Sequence, residues 1–241
     1  MNKVITIDEA INKLHDGMSV ALGGFAGVGS PLKCIEKIAQ KGVKDLTLIC
    51  LTNSHPFNPN IADVGPLFFN KQVKKFITSH TGTNPVAMEQ CRKGELTIEF
   101  FPMGSWVEKL RAAGAGLGGV LTPTGVGTLI ENGKQKIMVD GKEYILEVAL
   151  RADIAFIKGY RADRMGNVQY RGVSLNTNPV VAMAANYTVA EVNEIVEIGE
   201  IDPERVGTSG IFVQAVVQGY TMPEHQEIFQ NLWMKGGILK A

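Results

Sequence analysis

The sequence predicts an α/β protein built on a mostly parallel sheet with helices on both faces. Three observations predict it. Short apolar runs of strand length alternate with segments whose apolar residues recur at helical spacing. That alternation extends over most of the chain, as it does in βαβ architectures. Its one clear interruption is a hairpin signal around Asp140-Gly141, which reads as an insertion into an otherwise parallel pattern.

Each element follows from local chemistry. Thr6 and Glu9 have the spacing of a capping box, Ile7, Ala10, Ile11 and Leu14 repeat along one helix face, and Gly17 stops the helix. Met18 to Leu22 reads as a buried strand running into glycines. Ser30 is expected as the N-cap of the next helix with Pro31 at its first position, and Leu32, Ile35, Ile38 and Ala39 as its apolar face before Gly42. Strands are expected at Leu46–Leu51, Val73–Ser79 and Leu96–Phe101, with helices at Ala87–Arg92 and Ser105–Ala113. A segment at 114–128 then holds six glycines and one proline. Lys136–Val139 and Lys142–Leu146 flank the Asp-Gly turn. Beyond it come a strand at Ile154–Ile157, a turn at Gly166-Asn167, a helix at Val180–Ala185, a strand at Thr188–Val192 and a last helix at Glu224–Trp233.

Composition narrows the function. The 241 residues are 45% hydrophobic and 20% charged, enough to bury a core without disulfides, and are read as one domain spanning 1–241. Lys plus Arg equals Asp plus Glu at 24 each, so no electrostatic case exists for nucleic acid or an anionic membrane as partner. Lys71, Lys74 and Lys75 read as a solvated face, and Glu108 and Arg111 as an ion pair. Cys34, Cys50 and Cys91 share no metal-ligand spacing and are expected as buried thiols. His55 and His80 lack partners at ligand spacing, so no metal is expected. Without a signal-like or membrane-length apolar run, the expected location is the cytoplasm.

The stretch Val20-Ala-Leu-Gly-Gly-Phe-Ala-Gly-Val-Gly-Ser-Pro31 is a strand, a glycine-rich turn and a helix N-terminus. Such a turn can aim main-chain N–H groups at an anion or developing oxyanion, aided by the helix dipole. It is not a dinucleotide fingerprint, because Leu32 stands where the third glycine belongs; no Walker loop or G-x-S-x-G elbow occurs elsewhere. A tight turn without a ligand also fits the local pattern.

Asp16-Gly17, the apolar Val20 to Leu22, Gly23-Gly24-Phe25, Gly29 and Pro31 together resemble the N-terminal signature of the family I CoA-transferases, over 16 positions. Gly82-Thr83-Asn84-Pro85, Gly94-Glu95-Leu96, Arg111 through Thr128, Arg151-Ala152-Asp153, Asp163 through Asn167 and Asn178-Pro179 are similar to the α subunit of the acetate/acetoacetate (butyrate–acetoacetate) type. The likeness runs over about residues 5 to 215. It implies a CoA-transferase-like fold and ping-pong transfer of CoA from an acyl-CoA to a short-chain carboxylic acid. It further implies that the nucleophilic glutamate lies in a Ser-Glu-Asn-Gly motif on a β subunit, with no catalytic residue in this chain, CoA as substrate rather than cofactor, and a heterotetramer as the assembly. Gly23, Gly24, Phe25, Ala26, Gly27, Val28 and Gly29 would contact CoA and the oxyanion, and Met103, Asn53 and Asn84 would line the pocket. The 114–128 segment is expected to fold over the site and exclude water.

Two departures stand out. Met103 replaces the Gln of a Pro-Gln-Gly-Thr stretch, which implies a more apolar acyl pocket, and Leu51-Thr52-Asn53 stands where relatives tend to place one or two Asn after the second strand. Glu131-Asn132-Gly133 has Ile130 in place of serine and reads as a turn rather than the nucleophile. The alternatives are a non-catalytic acyl-CoA-binding protein or sensor, and a sugar-phosphate isomerase-like enzyme on a related fold.

Overall fold

The structure is a computed structural model and describes residues 2–52, 63–82 and 84–235. In chain order the elements are α1 (Ile7–Ile11), β1 (Ser19–Leu22), α2 (Leu32–Lys41), β2 (Leu46–Ile49), α3 (Gly65–Phe69), β3 (Val73–Thr78), α4 (Pro85–Arg92), β4 (Thr97–Phe100) and α5 (Met103–Gly114). There follow β5 (Gly119–Thr122), β6 (Lys136–Val139), β7 (Lys142–Val148), β8 (Ala152–Asp163), β9 (Val168–Gln169), α6 (Asn178–Met183), β10 (Ala185–Val196), β11 (Ala215–Gln218) and α7 (Met222–Lys235).

The main sheet runs β11-β10-β8-β1-β2-β3-β4, with every neighbouring pair in that order parallel and β9 folded back antiparallel on β8. Both faces are covered. Val20 and Leu22 of β1 point into a core shared with Ile35, Ile38, Leu67 and Phe68, and Ala21 between them into a second core with Trp106, Leu110 and Val181. Successive strand side chains alternate faces, so apolar residues are needed at consecutive positions when both sides are packed. Helices α1 to α4 contribute to the first core; α5 and α6 contribute to the second.

The expected hairpin is present as β6 and β7, with Asp140 at φ 49° and Gly141 at φ 74°, the left-handed pair a two-residue hairpin turn needs. The glycine-rich 114–128 segment ends α5 and supplies β5, which pairs antiparallel with β7 to complete a separate three-stranded sheet. The capping box at Thr6 forms as expected.

Other expectations are corrected. Helix α2 begins at Leu32 behind Pro31, and Ser30 does not cap it; its hydroxyl bonds the buried Asp63 carboxylate instead. Cys91 is only half-buried, whereas Cys34 and Cys50 are buried free thiols. Strands β8 and β10 each run 12 residues, far beyond the apolar runs that announced them. Among the described residues no helix is long and apolar enough to cross a membrane.

Candidate functional site

In a parallel sheet the crevice at the carboxyl ends of the strands opens widest where the chain order reverses. Here that point lies between β1, which leads on to β2, and β8, which leads on to β10. The glycine loop follows β1 directly. Its first residue extends the ladder, with the Gly23 N–H donating to Phe156 O at 3.0 Å.

The loop then closes on itself. Phe25 and Val28 exchange N–H···O bonds of 2.9 and 3.0 Å, and between them Ala26 and Gly27 take φ 48° and 86°. Those positive angles describe a tight hairpin turn of the primed kind. The Gly24 N–H donates to Thr177 Oγ1 at 3.0 Å, and that hydroxyl lies 3.1 Å from Gly24 O, to which it donates in turn. The Ala26 N–H donates to Thr52 Oγ1 at 2.8 Å, and the Gly27 N–H to Asp63. Asn176 Nδ2 donates to Val28 O, and Asn178 Nδ2 to Gly29 O and Ser174 O, while Asn178 Oδ1 accepts the Lys158 N–H at 2.9 Å.

The glycines therefore serve a close approach by a polar clamp. A Cβ on Gly23 would sit 1.9 Å from Asn178 Oδ1, and one on Gly24 would sit 2.3 Å from Ser30 Oγ. The N–H groups of Gly23 through Val28 all bond acceptors within the chain, whereas the sequence reading expects them turned outward. Gly29 is the member of the loop whose N–H makes no such bond among the described residues. Thr52, Asp63 and the Asn176-Thr177-Asn178 run hold the loop in place, and sequence reasoning did not single them out as site residues.

Asp63 is buried beneath this loop, and burial raises its pKa to about 6 against hydrogen bonds from Ser30, Gly27 and Val64. An unfolded carboxyl of this type titrates near 3.8, so the folded state holds the proton more tightly. The stability that Asp63 contributes should accordingly be greatest below the unfolded value and be lost as pH rises through about 6. Relative to Asp63→Asn, it should fall by roughly 3 kcal/mol across that window. Urea midpoints of both proteins over the window test this, and a pH-independent difference would refute it.

Behind the loop, Lys158 on β8 stands in register with Glu191 on β10, both buried. Lys158 Nζ donates to Gly159 O and Asn193 Oδ1, each at 2.6 Å. Glu191 Oε2 accepts the Cys34 N–H at 2.8 Å. Burial pushes the Lys158 ammonium down to about 8 and the Glu191 carboxyl up, while Cys34 is raised well above the usual thiol range by burial and by Glu191. The available sequence signal was a charge breaking into each of two apolar runs, Lys158 after Ile154–Ile157 and Glu191 within Thr188–Val192. A cavity of about 320 Å³ lies here, bordered by Val28, Gly29, Lys158, Tyr160, Arg171 and His225 among others.

The remaining candidates are dispersed. Asn84 is the buried N-cap of α4, accepting the Ala87 N–H at 3.1 Å, and its Nδ2 has no partner among the described residues. Met103 opens α5, 45% exposed, in a groove with Val120 and Leu121. His80 forms a bridge with Thr52 at the carboxyl edge. Asn53 and His55 lie outside the described residues. Glu131 is tied to the Gly127 N–H at 2.6 Å and to Lys136 at 3.0 Å, and these bonds, Gly127 first, hold its carboxyl below the usual range. Among the described residues no group of three or more His, Cys, Asp or Glu side chains is placed to hold a metal.

Residues 4–219 match the family model described as Coenzyme A transferase. The chain is 42% identical over 215 residues to the acetate CoA-transferase subunit alpha of Escherichia coli (strain K12), an alignment spanning 89% of this chain and 96% of that one. It is 40% identical over 217 residues to the acetoacetyl-CoA:acetate/butyrate CoA transferase alpha subunit of Clostridium acetobutylicum, spanning 90% and 98%. Among solved structures it shares the fold of an acyl-CoA transferase apoenzyme from Escherichia coli O157:H7, with a TM-score of 0.81 and 22% identity. That match covers 90% of this chain but only 47% of the longer one.

Proposed function

The chain belongs to the coenzyme A transferase family, and we propose that it is the α subunit of a heteromeric, cytoplasmic short-chain acyl-CoA:carboxylate CoA-transferase. Its partner is a β subunit carrying the nucleophilic glutamate in a Ser-Glu-Asn-Gly motif, and the assembly is a heterotetramer. CoA enters and leaves as substrate, with no tightly held cofactor. The observation that carries this reading is the signature-bearing glycine loop standing at the β1–β8 switch point of a chain that spans 96% of an α subunit. Its 47% coverage of a longer acyl-CoA transferase fits one part of a two-part enzyme.

In this reading the partner's carboxylate attacks the acyl-CoA thioester and CoA is released from the tetrahedral intermediate, leaving a mixed anhydride. The thiolate then attacks the glutamyl carbonyl and expels the acid, so that the enzyme holds CoA as a thioester. The second acid reverses these steps. Residues Gly23 to Gly29 form this chain's wall of the site. The bonds from Gly23 through Val28 hold the wall in shape, and the Gly29 N–H, just ahead of α2, is the amide available to a developing oxyanion.

The test is CoA transfer from butyryl-CoA to acetate by this chain alone, by a companion chain bearing Ser-Glu-Asn-Gly, and by the mixture. Only the mixture should be active, by a factor of at least about 10³, the scale on which loss of a catalytic group is felt. Glu131→Gln in this chain should leave that activity unchanged. Activity of this chain alone would overturn the assignment, and tight CoA binding without transfer in any mixture would favour an acyl-CoA sensor.

A further inference from the structure

The cavity between β8, the Val28–Gly29 end of the glycine loop and α7 is of the size that takes a small organic ligand. Its lining divides by chemistry. Val28, Val173, Met222 and Phe229 are apolar, and Lys158 and Arg171 are cationic.

Lys158 is 2% exposed, and an ammonium has three N–H donors. Two are engaged by the neutral acceptors Gly159 O and Asn193 Oδ1. Glu191, its neighbour in register, offsets part of this charge through space but directs Oε2 to the Cys34 N–H, so the third Lys158 donor stays in reserve. A buried cation with a donor in reserve calls for an anionic acceptor. The Arg171 guanidinium stands 5.4 Å from the centre of the Tyr160 ring, on an exposed residue at the cavity rim. His225 stacks on Phe229 with ring centres 5.0 Å apart. Burial, reinforced by Lys158, holds its pKa down at about 4, so it is neutral at pH 7, and its buried Nδ1 has no partner among the described residues. With Glu191 behind Lys158 offsetting one of the two cations and the other walls neutral or apolar, the cavity suits one negative charge with a hydrocarbon tail better than a phosphate dianion.

We propose that this cavity binds a linear monocarboxylate, its carboxylate held by Lys158 and Arg171 and its tail lying along Val28, Val173, Met222 and Phe229. Because Val28 and Gly29 belong to the glycine loop, identifying the bound acid as the acyl acceptor rests on the transferase reading; the binding itself does not.

The test is titration of the full chain with hexanoate, acetate and inorganic phosphate, followed by ligand-observed NMR. Hexanoate should bind saturably and more tightly than acetate, with phosphate failing to compete. Lys158→Met should weaken hexanoate binding at least 10-fold, and Arg171→Gln, at an exposed residue that does not endanger folding, about 3-fold or more. In the active mixture Lys158→Met should raise KM for the acid and leave KM for the acyl-CoA near wild type. Absence of saturable binding, competition by equimolar phosphate, or wild-type affinity in Arg171→Gln would overturn the proposal. Hexanoate binding with no transferase activity in any mixture would sustain the cavity assignment while sinking the transferase reading.

Discussion

Gly23→Ala is expected to lower stability by about 3–5 kcal/mol, combining overpacking with the loss of buried hydrogen bonds. The new Cβ would fall 1.9 Å from Asn178 Oδ1 and 2.7 Å from Asn178 Cγ, so Asn178 must move. Its side chain bonds Gly29 O, Ser174 O and the Lys158 N–H at once, and no single shift preserves all three. The buried Lys158 N–H and Gly29 O would lose their partner together. In a protein of this size the melting temperature should drop by roughly 10 °C. Gly104→Ala is the control. Gly104 lies in the first turn of α5 with nothing within 4 Å of an added Cβ, and alanine there should be neutral or up to about 1 kcal/mol stabilising. If the two variants melted within a degree of each other, the account of the glycine loop as a clamped platform would be wrong.

Glu147→Ala should be comparably costly, about 3–5 kcal/mol, because it removes the only carboxylate from a buried charge cluster. Glu147 is 1% exposed and pairs with Lys109 at 3.1 Å and with Lys134. Both ammonium groups also stand over the Phe101 ring, at 4.3 and 4.8 Å from its centre. The cluster joins α5, β7 of the small sheet and the segment after β4. Removing the carboxylate leaves Lys109, itself nearly buried, facing a second cation. The double substitution Lys109→Met with Glu147→Leu should recover most of the loss, since an apolar pair of similar volume needs no charge compensation. Urea denaturation of the two singles and the double closes the cycle. A cost under about 1 kcal/mol for Glu147→Ala would place the cluster in solvent-screened surroundings instead.

Much of the architecture is legible where neighbours in sequence are neighbours in space. The capping box at Thr6 and Glu9, the Asp140-Gly141 turn and the passage from β1 through glycines to α2 are all local, and all appear in the structure. Short elements escape the periodicity argument. Helix α3 has five residues, opens on Gly65-Pro66 and shows no repeat, and β11 has four residues, too few to establish a period. The apolar runs understate the length of β8 and β10 because Lys158, Arg161, Glu191 and Glu194 interrupt them. Each of these charges finds its counterpart at the same register on the adjacent strand, Lys158 opposite Glu191 and Arg161 opposite Glu194. A charge judged alone looks like the end of a buried strand, whereas the same charge beside its opposite permits the strand to continue.

The glycine loop shows where sequence stops. The residues Gly23 to Gly29 announce by themselves a backbone that something approaches closely, because only glycine admits contacts at 2 Å from where a Cβ would be. What approaches is decided by tertiary structure. It is Thr177 and Asn178, more than 150 residues further along the chain, brought beside Gly23 and Gly24 by the parallel pairing of β1 with β8. The sequence by itself thus determined the sheet type and the strand–loop–helix. Strand order, the inward turn of the loop amides and the convergence of Lys158, Arg171 and His225 on one cavity depend on pairings between distant strands. No local propensity encodes those pairings, because their energy comes from side chains that meet only once the sheet has formed.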